Sequence, residues 1–298
     1  MTLHAAAAKS LIPCVIEENI GDMTKKNILV FLFILFAAGL LLQVDAQFRQ
    51  EELAGRDKWE KFLETAEIID YEQQRGREAV TRPWELTLEK VGLSKKALWK
   101  NAEGRMRGFV ENWRWEIAAY RMDKLLGLNM ISPTVEKKFK GKRGSCQLWV
   151  DYWIKLVDMN ERKINVPPDK VTSFNRASYL QWAFDNLIAN EDRHTGNVFI
   201  TEDWRIILPD HSRSFRTSKK HTKTLIYTEE HKHGPKIMKE LPRTFVEKLK
   251  ALNFETIKES VGEYLTKKEI DAVLLRRDLI IQFVDERIRR LGEGSVLY

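Results

Sequence analysis

The spacing of apolar residues changes several times along the chain, and each change predicts an element. Trp59, Phe62, Leu63 and Ala66 recur at helical intervals among charges, which predicts a helix over residues 50–68. The register then changes. Thr87-Leu88-Glu89 before a Lys90–Gly92 turn, and Ala97-Leu98-Trp99 leading to Lys100, read as short antiparallel strands. Pro83 argues against a central strand around itself. Residues 111–126 give the clearest helix, with Trp113, Glu116, Ile117 and Tyr120 on one face and Gly127 as terminator. After Pro133, residues 134–153 fit two strands joined by a turn at Lys140–Gly144. Beyond about residue 156 the pattern is mainly helical: 174–189, 240–250, 253–262 and 267–291. In the last of these, Leu274, Ile281, Val284, Ile288 and Leu291 keep helical spacing. A strand, a tight turn at Asp203 and a second strand interrupt the helices. Residues 213–235, rich in Lys, His, Thr and Ser, read as a long mobile loop. The pattern predicts an α+β fold in two lobes. A small strand-rich lobe spans 47–153 and a larger helical lobe spans 154–298, with the link near 148–154.

One segment has no amphipathic period at all. Residues 27–44, NILVFLFILFAAGLLLQV, are apolar on every face, preceded by Lys25 and Lys26 and followed by Asp45, Ala46 and Gln47. A basic start, an apolar run and a small residue at a V-x-A cleavage point make a secretory signal, with cleavage after Ala46 leaving Gln47 first. The run is also nearly long enough to stay as an uncleaved anchor, since spanning needs roughly 20 apolar residues. Met23 stands where a signal peptide ought to begin, so residues 1–22 are either an over-called start or a real extension. Both readings place the body, residues 47–298, outside the cytoplasm, free or tethered to a membrane through 27–44.

Composition narrows the class only slightly. Of 298 residues, 43% are hydrophobic and 31% charged, ordinary values for a folded body with a substantial core. The formal charge of +7, from 50 basic against 43 acidic residues, suits an anionic cofactor or substrate and gives no ground to expect nucleic acid. Two cysteines, Cys14 and Cys146, build neither a disulfide framework nor a thiolate metal site. His194, His211, His221, His231 and His233 show no HExxH or comparable spacing, which discounts a zinc hydrolase.

The candidate chemistry lies in LIANEDRHTGNVFITEDWRIILPDHSRSF, residues 187–215. Asp192 and Asn197 sit on a short turn, and a hairpin joins them to Asp210, so the three can converge on one point. That suits a hydrated metal beside a polyphosphate, with one carboxylate left to handle an incoming hydroxyl. Asp192 is the candidate base or orienting group. Asn197 and Asp210 are candidate ligands whose oxygens suit Mg2+ or Mn2+. A surface turn with Asp–Arg pairing is the plainer alternative, but it leaves Asp210 unexplained. That carboxylate follows Ile206, Ile207 and Leu208, where it would be costly without a partner or ion.

Other residues extend the set. Lys100 ends an apolar strand and can meet phosphate oxygens as a point charge, with Glu116 on the following helix to hold it, an edge-strand surface lysine and a solvated helix residue being the plainer alternative. His194 either contacts phosphate or serves the loop as a hydrogen-bonding histidine. Arg193 reads as a support for the same loop, and Asp185 as structural. Gly76 in RGREAV is the candidate turn over the phosphates, an ordinary surface turn being the alternative. Neither GxGxxG nor GxxxxGK[ST] occurs, which excludes an ordinary P-loop enzyme. Gln147, Trp149 and Val150 fall at the lobe junction, where an adenine ring can stack and meet backbone polar groups.

Together these residues resemble the atypical branch of the protein-kinase-like superfamily, which includes phosphoinositide lipid kinases, the HipA toxin kinases and the secreted Golgi casein-kinase type. The shared pattern is a DRHxxN loop followed by an Asp near small and aromatic residues. Here it is Asp192-Arg193-His194-Thr195-Gly196-Asn197, then Asp210-His211-Ser212-Arg213-Ser214-Phe215. Neither HRD nor DFG is present. The resemblance, over roughly residues 65–290, implies a two-lobed protein-kinase-like fold. It implies ATP with Mg2+ or Mn2+ as cofactors, Asp192 as base, and Asn197 with Asp210 as metal ligands. It also implies Lys100 as the ATP-contacting lysine and Glu116 as its partner. The leader makes the secreted group the natural comparison. The single cysteine of the body, against disulfide-rich vertebrate members, favours a bacterial relative. The expected activity is transfer of the γ-phosphoryl group of ATP to a hydroxyl of a protein, glycan or small molecule outside the cytoplasm. The alternatives are a kinase-like pseudoenzyme that binds nucleotide and assists a partner, and a metal-dependent phosphohydrolase.

Overall fold

The computed structural model describes residues 48–74 and 81–298; the 27–44 segment, the 1–46 region as a whole and Gly76 lie outside them. The predicted first helix is two, α1 (Gln50–Ala54) and α2 (Arg56–Thr65), parted at Gly55. Five antiparallel strands follow in the order β1-β2-β3-β7-β6: β1 Glu67–Gln73, β2 Trp84–Lys90, β3 Leu93–Lys100, β6 Thr134–Phe139 and β7 Lys142–Leu148. Strand β2 starts directly after Pro83, where the missing N–H no longer interrupts a ladder. Phe62 and Leu63 of α2 pack with Leu86, Leu88, Ala97, Trp99, Val135, Phe139 and Cys146 into the core of this half. Period-two alternation thus closes one face of the sheet against a helix.

Between β3 and the long helix the chain makes a hairpin that the periodicity did not predict, β4 (Glu103–Met106) and β5 (Phe109–Asn112). Helix α3 (Trp113–Leu126) therefore starts two residues later than expected. The Asn112 side chain caps it by accepting from Arg114 N, and Gly127 ends it at φ +72°. The turn between β6 and β7 is also tighter than expected. It is confined to Lys140 and Gly141, because pairing runs to Phe139–Lys142.

The other half is helical: α4 (Leu156–Glu161), α5 (Val171–Ile188), α6 (Lys219–Lys223), α7 (Arg243–Ala251), α8 (Phe254–Val261) and α9 (Lys267–Leu291). Its core joins Phe184, Leu187 and Ile188 of α5 to Ile270, Val273 and Ile280 of α9 and to Met122 and Leu126 of α3. A small sheet, β10-β9-β8, comprises Ile206–Ile207, Phe199–Ile200 and Ile154–Lys155. The predicted loop 213–235 is tied down. Phe215 and Tyr227 are buried, and Asn186 Oδ1 accepts from Ile226 N and Tyr227 N at 2.8 Å each. Its polar composition hid those anchors. Among the described residues, no helix is long and apolar enough to cross a membrane.

Candidate active site

A cleft of about 1140 Å³ is lined from the sheet by Glu85, Leu98 and Lys100 and from the helical half by Asp192, His194, Asn197 and Asp210. Lys100 reaches it because β3 ends there, paired through Lys100 to Ser145 of β7. Close approach at the next strand requires a glycine. A Cβ on Gly144 would lie 2.5 Å from Lys100 O and 2.6 Å from the Trp99 ring.

Lys100 Nζ lies 2.6 Å from Glu116 Oε1 and 3.0 Å from Asp210 Oδ1. The sequence-predicted lysine, its helix partner and one of the two metal-ligand candidates thus meet in one ion-paired group. Burial opposes the charge on Lys100, but the Asp210 and Glu116 carboxylates outweigh it and raise its pKa. For the same reason Glu116 lies below the usual carboxylate range, burial being outweighed by Lys100. Asp210 is held well below it too, with Ser212 Oγ donating to its Oδ1 at 2.9 Å. The Asp210 side chain is 34% exposed, so it faces the cleft and remains partly solvated. Its backbone sits at φ +56°, in the left-handed region that aspartate tolerates better than most residues.

The DRHxxN loop is built around Arg193, the buried residue beside the candidate base. Arg193 Nε pairs with Asp185 Oδ2 at 3.1 Å, with both side chains almost wholly buried. Its Nη1 donates to Asn197 O at 2.7 Å and also to Pro209 O, and its Nη2 to His211 Nε2 at 2.8 Å. Since a guanidinium only donates, His211 Nε2 accepts and the neutral ring carries its proton on Nδ1, 3.6 Å from Glu116 Oε2. Burial and then Arg193 hold the His211 pKa down, which fits that neutral form. The His211 backbone N–H donates to Glu116 Oε2 at 2.8 Å. One buried chain of contacts therefore runs from Asp185 through Arg193 and His211 to Glu116 and Lys100. Arg193 and Asp185 are placed as supports for the loop.

Asp192 lies at the open side of this scaffold. Its backbone N–H donates to Asn190 Oδ1 at 3.1 Å, and its Oδ2 is 2.9 Å from Arg213 Nη1. Burial raises its pKa, against the lowering effect of Arg213. Asn197 Nδ2 donates to Asp192 O at 3.4 Å, which turns the amide oxygen away from that carbonyl. The donor set fits Mg2+ or Mn2+ when one ionised carboxylate, one amide oxygen, water and polyphosphate oxygens are combined. Among the described residues no group of three or more His, Cys, Asp or Glu could hold an ion alone. His194 is exposed and caps the 3-10 turn Thr195–Asn197, its Nδ1 accepting from Gly196 N at 3.1 Å.

Three predicted residues, Gln147, Trp149 and Val150, do not join this cleft. Gln147 donates from Nε2 to Thr134 Oγ1 at 3.0 Å, and Val150 lines a separate hollow of about 590 Å³ with Trp59, Trp149 and Tyr152. The apolar walls beside Lys100 are instead Leu98, Val157 and Phe199. Sequence reasoning also gave no role to Glu111, Asp158 and Arg213, which line the cleft. Only Arg213 carried a signal, lying three residues after Asp210 within the segment already singled out.

No family model and no curated protein matches the chain. Among solved structures, the chain is similar to that described as "The structure of hydra Fam20 with sugar". The TM-score is 0.59, the identity 15%, and the match covers 82% of this chain and 92% of that one. The two share a fold. A mixed sheet-and-helix architecture is therefore supported by a likeness over most of both chains.

Proposed function

We propose that the chain is an ATP-dependent phosphotransferase, with residues 47–153 and 154–298 as its two lobes. The observation that carries this reading is Lys100, held between Glu116 and Asp210 at 2.6 and 3.0 Å in a cleft shared with Asp192 and Asn197. In this reading Lys100 meets ATP phosphate oxygens, Asp210 and Asn197 hold Mg2+ or Mn2+, and Asp192 takes the acceptor hydroxyl's proton. The metal would neutralise phosphate charge. Leu98, Val157 and Phe199 replace Gln147, Trp149 and Val150 as the contacts for adenine. The acceptor is a hydroxyl of a protein, glycan or small molecule outside the cytoplasm. A glycan has the added support that hydra Fam20 was solved with sugar. Nucleic acid is not expected as a partner.

The test is incubation of the full chain with γ-labelled ATP and Mg2+ or Mn2+, alone and with envelope extract, beside Asp210→Ala. Label moved to an acceptor and lost in the variant establishes the transferase. Metal-dependent nucleotide binding without transfer gives the pseudoenzyme reading instead. Absence of binding ends both.

A further inference from the structure

Arg213 spans the open side of the cleft. Its Nε donates to Glu111 Oε1 at 2.6 Å, its Nη1 lies 2.9 Å from Asp192 Oδ2, and its guanidinium sits 4.3 Å from the centre of the Phe109 ring. Glu111 and Phe109 belong to β5, and Glu111 is 1% exposed with Oε2 lacking a hydrogen-bond partner. A strand, the catalytic-loop carboxylate and an aromatic face thus fix one guanidinium from three sides. Arginine keeps its charge and presents several N–H groups in a plane, so it can hold carboxylates and still face phosphate oxygens.

We propose that Arg213 is a catalytic residue that contacts the γ-phosphoryl group during transfer. This rests on the phosphotransferase reading and adds to it a cation supplied by the chain itself. The geometry leads there in two steps. A hydroxyl that gives its proton to Asp192 must come within about 2.6–3.2 Å of that carboxylate, and the phosphorus it attacks is the next atom along. Arg213 Nη1 already touches the same carboxylate. Lys100, another cation that lines the cleft, is engaged by Glu116 and Asp210. In the step, the acceptor oxygen bonds to the γ-phosphorus as the bond to the β–γ bridging oxygen breaks. The electron pair leaves with ADP, and the hydroxyl proton passes to Asp192. Charge on the equatorial oxygens then finds Arg213 in place, much as an arginine finger supplied in cis would act.

The test measures ADP binding with Mg2+ by calorimetry, with and without aluminium fluoride, which mimics the transferring phosphoryl group while water stands in for the acceptor. Wild type should bind ADP at least about a hundredfold tighter with aluminium fluoride. Arg213→Gln should keep ADP affinity within about threefold and lose that enhancement, and Arg213→Lys should restore part of it. If Arg213→Gln leaves Glu111 too poorly paired to fold, Glu111→Gln/Arg213→Gln removes both charges and supplies the same comparison. Enhancement kept by the Gln variants, or absent from a wild type that binds ADP, overturns the assignment of Arg213 alone. A wild type that binds no ADP, or an Asp210→Ala that binds it unchanged, overturns the phosphotransferase reading and this inference with it.

Discussion

Two arginines twenty positions apart each pair with an aspartate, yet they stand in opposite surroundings. Arg193 and Asp185 are 1% and 0% exposed, and the guanidinium also serves Asn197 O, Pro209 O and His211. Arg213 and Asp192 are 11% and 33% exposed, and both line the cleft. The first pair is saturated by protein and has nothing to offer a ligand. The second retains solvent access, so a phosphate or hydroxyl can share it. Satisfaction and exposure, more than the presence of an ion pair, separate scaffold from chemistry.

The comparison breaks most visibly if the buried pair is cut. Asp185→Ala leaves Arg193 charged and dry, and removal of one partner from such a pair costs about 3–5 kcal/mol. Against a typical total of roughly 5–15 kcal/mol, that is a large fraction. Urea unfolding should show it, with Arg213→Gln losing distinctly less. A loss for Asp185→Ala below about 1 kcal/mol would mean that Arg193 is not the scaffold described.

Gly144 tests how the sheet supports the floor of the cleft. A methyl group there meets a backbone carbonyl and an indole ring, neither of which can swing away as a flexible chain end would. Gly144→Ala should destabilise by about 1–3 kcal/mol. Because the crowded carbonyl is that of Lys100, Mg2+-dependent ADP affinity should fall too. Unchanged affinity would show that β7 does not set the lysine.

Asp123 sharpens the contrast because it is buried without a full set of partners. Its Oδ1 accepts from Met130 N at 2.7 Å, but Arg56 stands 3.7 Å away and Oδ2 has no hydrogen-bond partner. Burial pushes its pKa up to about 7. The folded state therefore keeps a proton that the unfolded chain, at the ordinary value of 3.8, gives up first. The stabilising contribution is full below about pH 4 and is lost as pH rises through about 7. Asp123→Asn should match wild type at about pH 3, below the unfolded value, and exceed it at pH 7.5 by on the order of a few kcal/mol. Equal urea midpoints at both pH values would remove Asp123 from this account.

The same contrast explains what could be read from the sequence. Asp192, Asn197 and Asp210 converge through one local hairpin, so spacing alone could bring them together. Lys100 and Glu116 were legible because a strand end and an amphipathic helix face each leave little choice of direction. Gln147, Trp149 and Val150 were misplaced relative to the cleft because they lie at the end of β7 and just beyond it, where no sustained period says which side faces which hollow. The β4–β5 hairpin is short, and its residues Gly104 and Gly108, both at positive φ, disturb any alternation. Glu111 and Arg213 are 102 positions apart, and nothing along the chain announces that contact. The helices α5 and α9 were plain from their long apolar stripes, whereas Phe215 and Tyr227 were lone apolar residues in polar surroundings.

His194 gives the smallest expected effect and the finest test of where scaffold ends. It belongs to the loop between the two arginines but is exposed, and its Nδ1 caps the turn that carries Asn197 by accepting from Gly196 N. If capping is its role, His194→Ala should cost about 0.5–1 kcal/mol, and His194→Asn, a good capping residue, should recover most of it. ADP affinity with Mg2+ should then fall by no more than about fivefold in the Ala variant, matching a loosened Asn197. A hundredfold loss that Asn does not recover would instead make His194 a direct phosphate contact and move it to the side of Arg213.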